Sequence, residues 1–405
     1  MLKNKSSILL LIILIIILII VGYLLYKQSK SDKPAEYFYT APGTYLKEND
    51  ANIGLMQPQK WIDLPKVKSK HSKAAIEAAA RKYAPMAILH KDEKYFASPV
   101  EWHMNYVTPY YAEDEDDDKA KKVFLMTKEN ILGDQEKILD FFQGISPVSS
   151  THPKGIEQKV VAYCFVILLP DGKVNLAYYF FFPYNYGKNE CVGIKVKPTD
   201  PCLGKQYRFG NHVGDLEGCI VYLDTELNPF KLYFGAHQFD FDLEWNSTQI
   251  TKVNDNGVVD IDKSKNTHPI VYLAYGSHGT WVSGGDHDYT PQTDALKIAG
   301  AIANLKLIDV TSTFEDGIPW MTWKNLRILF PEEWSGVKEV TSPEFSKYGI
   351  KNWTTQVGRW GTINGDEDPI EKLFGYRRLE SGPSGFMDKN SRNIHWRDSI
   401  LFTND

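Results

Sequence analysis

Two apolar runs joined by a Pro-Asp-Gly turn constrain this chain more than any other feature. Val160–Leu169 reads VVAYCFVILL, Pro170-Asp171-Gly172 turns the chain, and Val174–Phe182 returns as VNLAYYFFF. β-Branched and aromatic residues fill both runs, and the turn residues join them as a hairpin. A half-exposed strand alternates apolar and polar side chains. These runs do not, so both faces of the hairpin need cover. The hairpin is therefore expected at the centre of a layered β-fold.

Further strands follow at short spacing: Glu217–Asp224, then Lys231–His237 after a turn near Glu226–Pro229, then Pro269–Tyr275. Helical pattern is sparse. Its clearest case is the alanine-rich stretch Ser72–Lys82, with Ser72 as N-cap and Pro85 beyond its end. The expected class is mainly β, a β-sandwich with peripheral α-helices. No repeat of 20–50 residues is visible.

Ile8–Tyr26 is a stretch of nineteen residues without a charge. At about 1.5 Å per residue it spans roughly the 30 Å hydrocarbon core of a bilayer. No small-residue cleavage site follows it, so it reads as an uncleaved transmembrane anchor. The chain then divides into a tail (1–7), the anchor (8–26), a tether (27–70) and one large domain (71–405). Lysines flank both ends of the anchor, so charge does not orient it. A short N-terminal tail favours a single-pass type II arrangement with the domain lumenal or extracellular. On that side of the membrane Cys191 and Cys202 could form a disulfide, and Asn246 and Asn352 could carry glycans. Cys164 and Cys219 sit in apolar runs and read as core residues. The formal net charge of −5 gives no electrostatic ground for a nucleic-acid partner.

The densest polar constellation is Asn211-His212-Val213-Gly214-Asp215-Leu216-Glu217. In an extended chain Asp215 and Glu217, two apart, share a face. A hairpin centred near Leu227 would set His237 opposite Glu217, and His278 ends the third apolar strand. His212, Asp215, Glu217, His237 and His278 could together hold a divalent cation (Ca, Mg, Mn or Zn). From spacing alone, the favoured reading of the same residues is a buried hydrogen-bond network that orders strand ends. The acidic run Glu113–Asp118 lacks the spacing of a calcium loop. Asp286-His287-Asp288 and Asp366-Glu367-Asp368 read as loop or turn. Gly276-Ser277-His278-Gly279 does not match the nucleophile elbow of hydrolases, and no Walker, Rossmann or zinc-finger spacing is present.

An ordered series of short blocks resembles the vacuolar protein sorting-associated protein 62 family. The blocks are YAPMAILHKDEKYFASPVEW (83–102), LAYYFFFPYNYG (176–187), NHVGDLEGCIVYL (211–223), FGAHQ (234–238), PIVYLAYGSHGTW (269–281), GRWG (358–361) and GPSG (382–385). Leu216 stands where that family usually has tryptophan. More distantly, the third block resembles the Gly-His-Arg-His-Asp-Trp-Glu heptapeptide of necrosis- and ethylene-inducing peptide-like toxins. Those are secreted β-sandwiches that bind a divalent cation and sphingolipid head groups. His212, Asp215 and Glu217 match that motif by position, while Gly214 replaces its second histidine. The resemblance implies a β-sandwich and a role in delivery to the vacuole, and supplies no reaction.

Together these features predict a membrane-anchored recognition module, acting in protein sorting or surface recognition, with a glycan, lipid head group or protein as ligand. An enzyme is the less favoured reading. The alternatives are a metal-dependent hydrolase using the same cluster, and a structural component of a membrane or virion-associated complex.

Overall fold

The hairpin lies in the middle of the widest sheet. A computed structural model describes residues 43–56, 64–112, 123–132, 134–145, 159–194, 203–237, 239–290, 307–361, 371, 382–386 and 399–403. Strands are numbered β1 to β20 along the chain. The widest sheet runs β12 (Phe239–Glu244), β11 (Pro229–Ala236), β10 (His212–Leu223), β7 (Val174–Asn185), β6 (Ala162–Leu168) and β19 (Leu326–Leu329). Only the β19–β6 pairing in it is parallel.

Alternation along the hairpin divides its side chains between two cores. Cys164, Val166, Leu176, Tyr178, Phe180 and Phe182 enter one, and Tyr163, Phe165, Ile167, Tyr179 and Phe181 the other. Burying an aromatic or branched side chain of this kind contributes about 1.5–3 kcal/mol, so both faces are strongly driven to find cover.

The first face is covered by a second sheet, β13 (Lys252–Val253), β14 (His268–Leu273), β3 (Met86–Leu89) and β18 (Ile318–Met321), with β15 (Thr280–Trp281) on β14. Ala87, Leu89, Val271, Leu273 and Trp320 meet the first sheet across a shared core, which makes a sandwich. The helix Lys73–Lys82 adds Ile76, Ala79 and Ala80 there, and the Ser72 side chain accepts from the Ala75 amide at 3.2 Å as its N-cap. The opposite face is covered by β1 (Gly43–Tyr45), β4 (Val107–Ala112) and β5 (Val123–Thr127), the helix Gln135–Gln143, and Trp334, Trp353, Trp360 and Phe386. Three two-stranded pairs complete the described strands: β2 (Lys66–Lys68) with β20 (Leu401–Thr403), β8 (Lys188–Ile194) with β9 (Leu203–Phe209), and β16 (Gly285–Asp288) with β17 (Ile308–Thr311).

Part of the tether packs onto the domain, as β1 pairs with β4 and Leu46, Ile53 and Leu64 are buried in the core. Asn352 is buried, and its side-chain oxygen accepts from the Val340 amide. Asn246 is exposed. Cys164 and Cys219 are buried free thiols, as their apolar setting suggested. The anchor, the Cys191–Cys202 pair, the acidic run 113–118 and the run 366–368 lie outside the described residues, although the backbone of Cys191 is placed in β8. Among the described residues no helix is long and apolar enough to cross a membrane.

Candidate functional site

Asp215 and Glu217 occupy the inter-sheet face of β10, with Cys219 and Val221 following on the same face. Their partners on β7 are Phe182 and Phe180. At this end of the sandwich the apolar core gives way to a polar cluster. Two loops close over it, one after β14 and one after β3.

His278, in the loop after β14, is fully buried and stacks on Phe182 with ring centroids 3.8 Å apart. Nδ1 lies 3.3 Å from Asp215 Oδ2, and Nε2 lies 3.0 Å from the Tyr95 carbonyl and 3.8 Å from Glu93 Oε2. Both ring nitrogens face acceptors, so the fully bonded imidazole carries a proton on each. Burial pulls its pKa down. The Asp215 hydrogen bond and the charges of Glu93, Asp215 and Glu217 outweigh burial, and the pKa is raised.

Asp309, on β17, anchors the other half of the cluster. Its carboxylate has no exposure and accepts on both oxygens. Lys188 Nζ (2.9 Å) and Ser277 Oγ (2.7 Å) meet Oδ1; His237 Nε2 (2.9 Å) and Trp281 Nε1 (2.8 Å) meet Oδ2. Burial alone would raise its pKa. The Lys188 ammonium and then the His237 and Ser277 contacts reverse that, and hold it well below the usual carboxylate range. Gly279 allows this approach, since a Cβ there would lie 2.6 Å from Asp309 Oδ2.

His237 reaches Asp309 by leaving its strand. The β10–β11 ladder pairs Cys219 with Phe234, so two residues on it is Ala236, not His237, that stands level with Glu217. The turn is centred on Glu226 rather than Leu227, Leu223 pairing with Pro229, and the register shift at Tyr222/Leu223 takes back one of the two residues this displaces, leaving a one-residue difference from the expected hairpin. β11 ends at Ala236, and His237 turns with φ 56° to stack on Tyr289 at 3.7 Å, its side chain 29% exposed. His278 has φ 57°. A left-handed backbone at a residue other than glycine is costly, and such strain concentrates where function over-determines geometry.

The five expected residues are therefore brought together only in part. Asp215 and His278 touch. His237 joins them through Asp309 and Ser277, and Asn185 Nδ2 bridges Asp215 (3.2 Å) to the Ser277 carbonyl (3.3 Å). Glu217 is half-buried and accepts from Thr280 Oγ1 at 3.5 Å. His212 stands apart, its Nδ1 turned to the Gly214 carbonyl at 2.6 Å. Gly214, at φ 72°, has no room for a side chain: a Cβ would lie 2.5 Å from the Trp360 carbonyl oxygen.

Sequence reasoning missed Lys188, Asp309, Glu93, Asn185 and Trp281. Asp309 had a signal, a lone acid between Ile308 and Val310 in a short apolar alternation. Glu93 had none, being hidden in the charged run HKDEK. Yet Glu93 is buried and accepts from the Lys94 and Tyr95 amides on Oε1 and from the Gly276 amide on Oε2. In the Asp286–Asp288 run, now β16, His287 stacks on Trp281 at 4.2 Å and directs Nε2 to the Ser283 carbonyl and Thr311 Oγ1.

A divalent cation needs several oxygen or imidazole ligands with lone pairs directed at one point. Here the buried carboxylates already accept from N–H and O–H donors and from an ammonium. Among the described residues no group of three or more His, Cys, Asp or Glu side chains is placed to hold a metal ion. The donor set does not fit the group.

A family model described as vacuolar protein sorting-associated protein 62 matches residues 60–287. The putative vacuolar protein sorting-associated protein TDA6 of Saccharomyces cerevisiae is 23% identical over 254 residues, which is 54% of this chain and 49% of that protein. Vacuolar protein sorting-associated protein 62 of the same yeast is 22% identical over 269 residues, 65% and 50% of the two chains. The chain thus spans about half the length of the curated relatives it matches. A solved toxin fold for microbial attack and plant defense is similar at TM-score 0.29 and 10% identity, covering 71% of this chain and 95% of that one. NLPPya in complex with glucosamine is similar at TM-score 0.25 and 12% identity, with 54% and 71% covered.

Proposed function

This chain belongs to the vacuolar protein sorting-associated protein 62 family, and on that premise we propose that it is a membrane-tethered recognition module acting in protein sorting. Its ligand is a glycan, lipid head group or protein surface, read at the loop end of the sandwich. The apolar stretch Ile8–Tyr26 supports the tether, in a type II arrangement.

The observation that carries this reading is the way Asp309 is used. A wholly buried carboxylate, with Lys188, Ser277 and Trp281 committed to it, holds one partly exposed imidazole, His237, on a left-handed backbone. Such an arrangement presents a polar contact already oriented, which reduces the ordering cost of binding. Half-buried Glu217 supplies an acceptor on the same rim. Recognition is favoured over acyl transfer because Ser277 gives its hydroxyl to Asp309. A nucleophilic serine requires its base within hydrogen-bond reach, whereas here serine and histidine both serve the carboxylate.

The test is binding of the full chain in nanodiscs to immobilised glycans and to phosphatidylcholine vesicles with and without a glycolipid. His237→Ala should weaken binding about 10-fold or more, the loss expected when a central contact is removed. A bound ligand whose affinity is indifferent to both His237→Ala and Glu217→Gln would place recognition elsewhere on the domain.

A further inference from the structure

The heptapeptide resemblance implies a bound divalent cation, and the donor set described above does not accommodate one. The disagreement has a specific cause in this chain. Asp309 carries four donors, two on each oxygen, and a carboxylate offers about four lone-pair sites in all. One of the four donors is an ammonium. Lys188 has 8% side-chain exposure, and its second bond, to the Tyr275 carbonyl, is 2.7 Å long.

The turn between β7 and β8 delivers it. Gly187 takes φ 69°, the Asn185 side chain accepts from the Gly187 amide at 2.7 Å, and the Tyr186 amide donates to the Gly276 carbonyl at 2.7 Å. This docks the turn onto the loop after β14, and the next residue, Lys188, falls between Tyr275 and Asp309.

We infer that Lys188 is the built-in cation of the strand-end site, neutralising it from within where a divalent ion would otherwise be required. A buried carboxylate needs a countercharge, and Lys188 provides one. A dication coordinated by Asp309 would lie within a few ångströms of that ammonium and be repelled by it. Two further acids are engaged in the same manner, while Glu217 faces Thr280 Oγ1 at 3.5 Å. Asp215 accepts from the Leu216 amide, Asn185 and His278, and Glu93 accepts from three backbone amides. His212 spends Nδ1 on the Gly214 carbonyl. Ligand recognition at this rim then proceeds by direct hydrogen bonding, with no ion bridging protein and ligand.

That consequence rests on the recognition reading, but the test does not, because it reads melting and metal content rather than ligand binding. The full chain in detergent is dialysed against EDTA, assayed for metal, and melted alone and with about 1 mM Ca²⁺, Mg²⁺, Mn²⁺ or Zn²⁺. The expected results are no stoichiometric metal before EDTA, an unchanged Tm after it, and no ion that raises Tm by more than about 1 °C. Lys188→Arg, which keeps the charge, should retain this indifference. Lys188→Ser frees Asp309, and divalent ions should raise its Tm where they leave the wild type unmoved. Stoichiometric metal in the wild type, with a Tm that falls on its removal, overturns the inference. So does a Lys188→Ser chain that melts like the wild type and ignores every ion. Should Lys188→Ser fail to fold, the wild-type and Lys188→Arg measurements still decide.

Discussion

Two buried histidines show how differently the faces of one sheet treat a polar group. His278 lies on the inter-sheet side among Asp215, Glu93 and the Tyr95 carbonyl. His103 lies on the other side, fully buried against Phe141, Phe181 and Trp360, and among the described residues neither of its ring nitrogens has a hydrogen-bond partner. Burial alone acts on it and lowers its pKa to about 3. The side-chain nitrogens of Trp353, Gln356 and Trp360, near Phe386 in the same layer, are also without partners among the described residues. One layer sets its buried acids and imidazole against hydrogen-bonding partners. The other fills space with rings and tolerates the polar atoms they bring. Polar satisfaction marks the first as a built site, and its absence marks the second as packing.

The largest effect that would sharpen this contrast comes from Lys188→Met, which leaves Asp309 buried and uncompensated. Chemical denaturation should show a loss of about 3–5 kcal/mol. His278→Phe keeps the stack on Phe182 but removes a donor from Asp215. The expected loss is about 1.5–3 kcal/mol, the worth of a hydrogen bond to a charged group. His103→Phe, in the aromatic layer, should be neutral or stabilise by up to about 1 kcal/mol, because no hydrogen bond is lost. A His103 variant as damaging as the His278 variant would break the comparison.

The two imidazoles should also pull stability in opposite directions with pH. His278 has a raised folded pKa, so its contribution is complete below the ordinary histidine value of about 6.5 and is lost as pH rises through the folded value. His103 is held neutral, so the unfolded chain takes up its proton first, and stability falls as pH drops from about 6.5 towards its folded value of about 3. Melting curves across pH should show His103→Phe flattening the acid limb and His278→Phe flattening the alkaline limb. Asp309, whose pKa is depressed, adds stability that is complete above the ordinary carboxylate range and is lost as pH falls through the folded value.

Much of the sandwich was legible because period-two alternation is local. The runs 160–169 and 174–182 announced a strand pair buried on both faces, and Asp215 and Glu217 do share a face of β10. The cluster was less legible, because what completes it is remote in sequence. Asp309 is 94 residues from Asp215 by their numbering, and only the loop after β14 brings them close. His237 was misplaced because the turn centres on Glu226 rather than Leu227 and the shift at Tyr222/Leu223 restores only one of the two residues, and one residue of register reverses the face of everything beyond it. Lys188, after Gly187, has nothing in its sequence neighbourhood that marks it; its burial follows from tertiary docking.

The central claim, that the Asp309-held imidazole is a ligand contact, is tested most directly by pairing binding with melting for His237→Ala in the full chain. The account predicts that affinity for the retained glycan or vesicle falls about 10-fold or more while Tm moves by no more than about 2 °C, since a partly exposed side chain carries little of the core. Unchanged affinity, or a loss of binding matched by loss of fold, would contradict it.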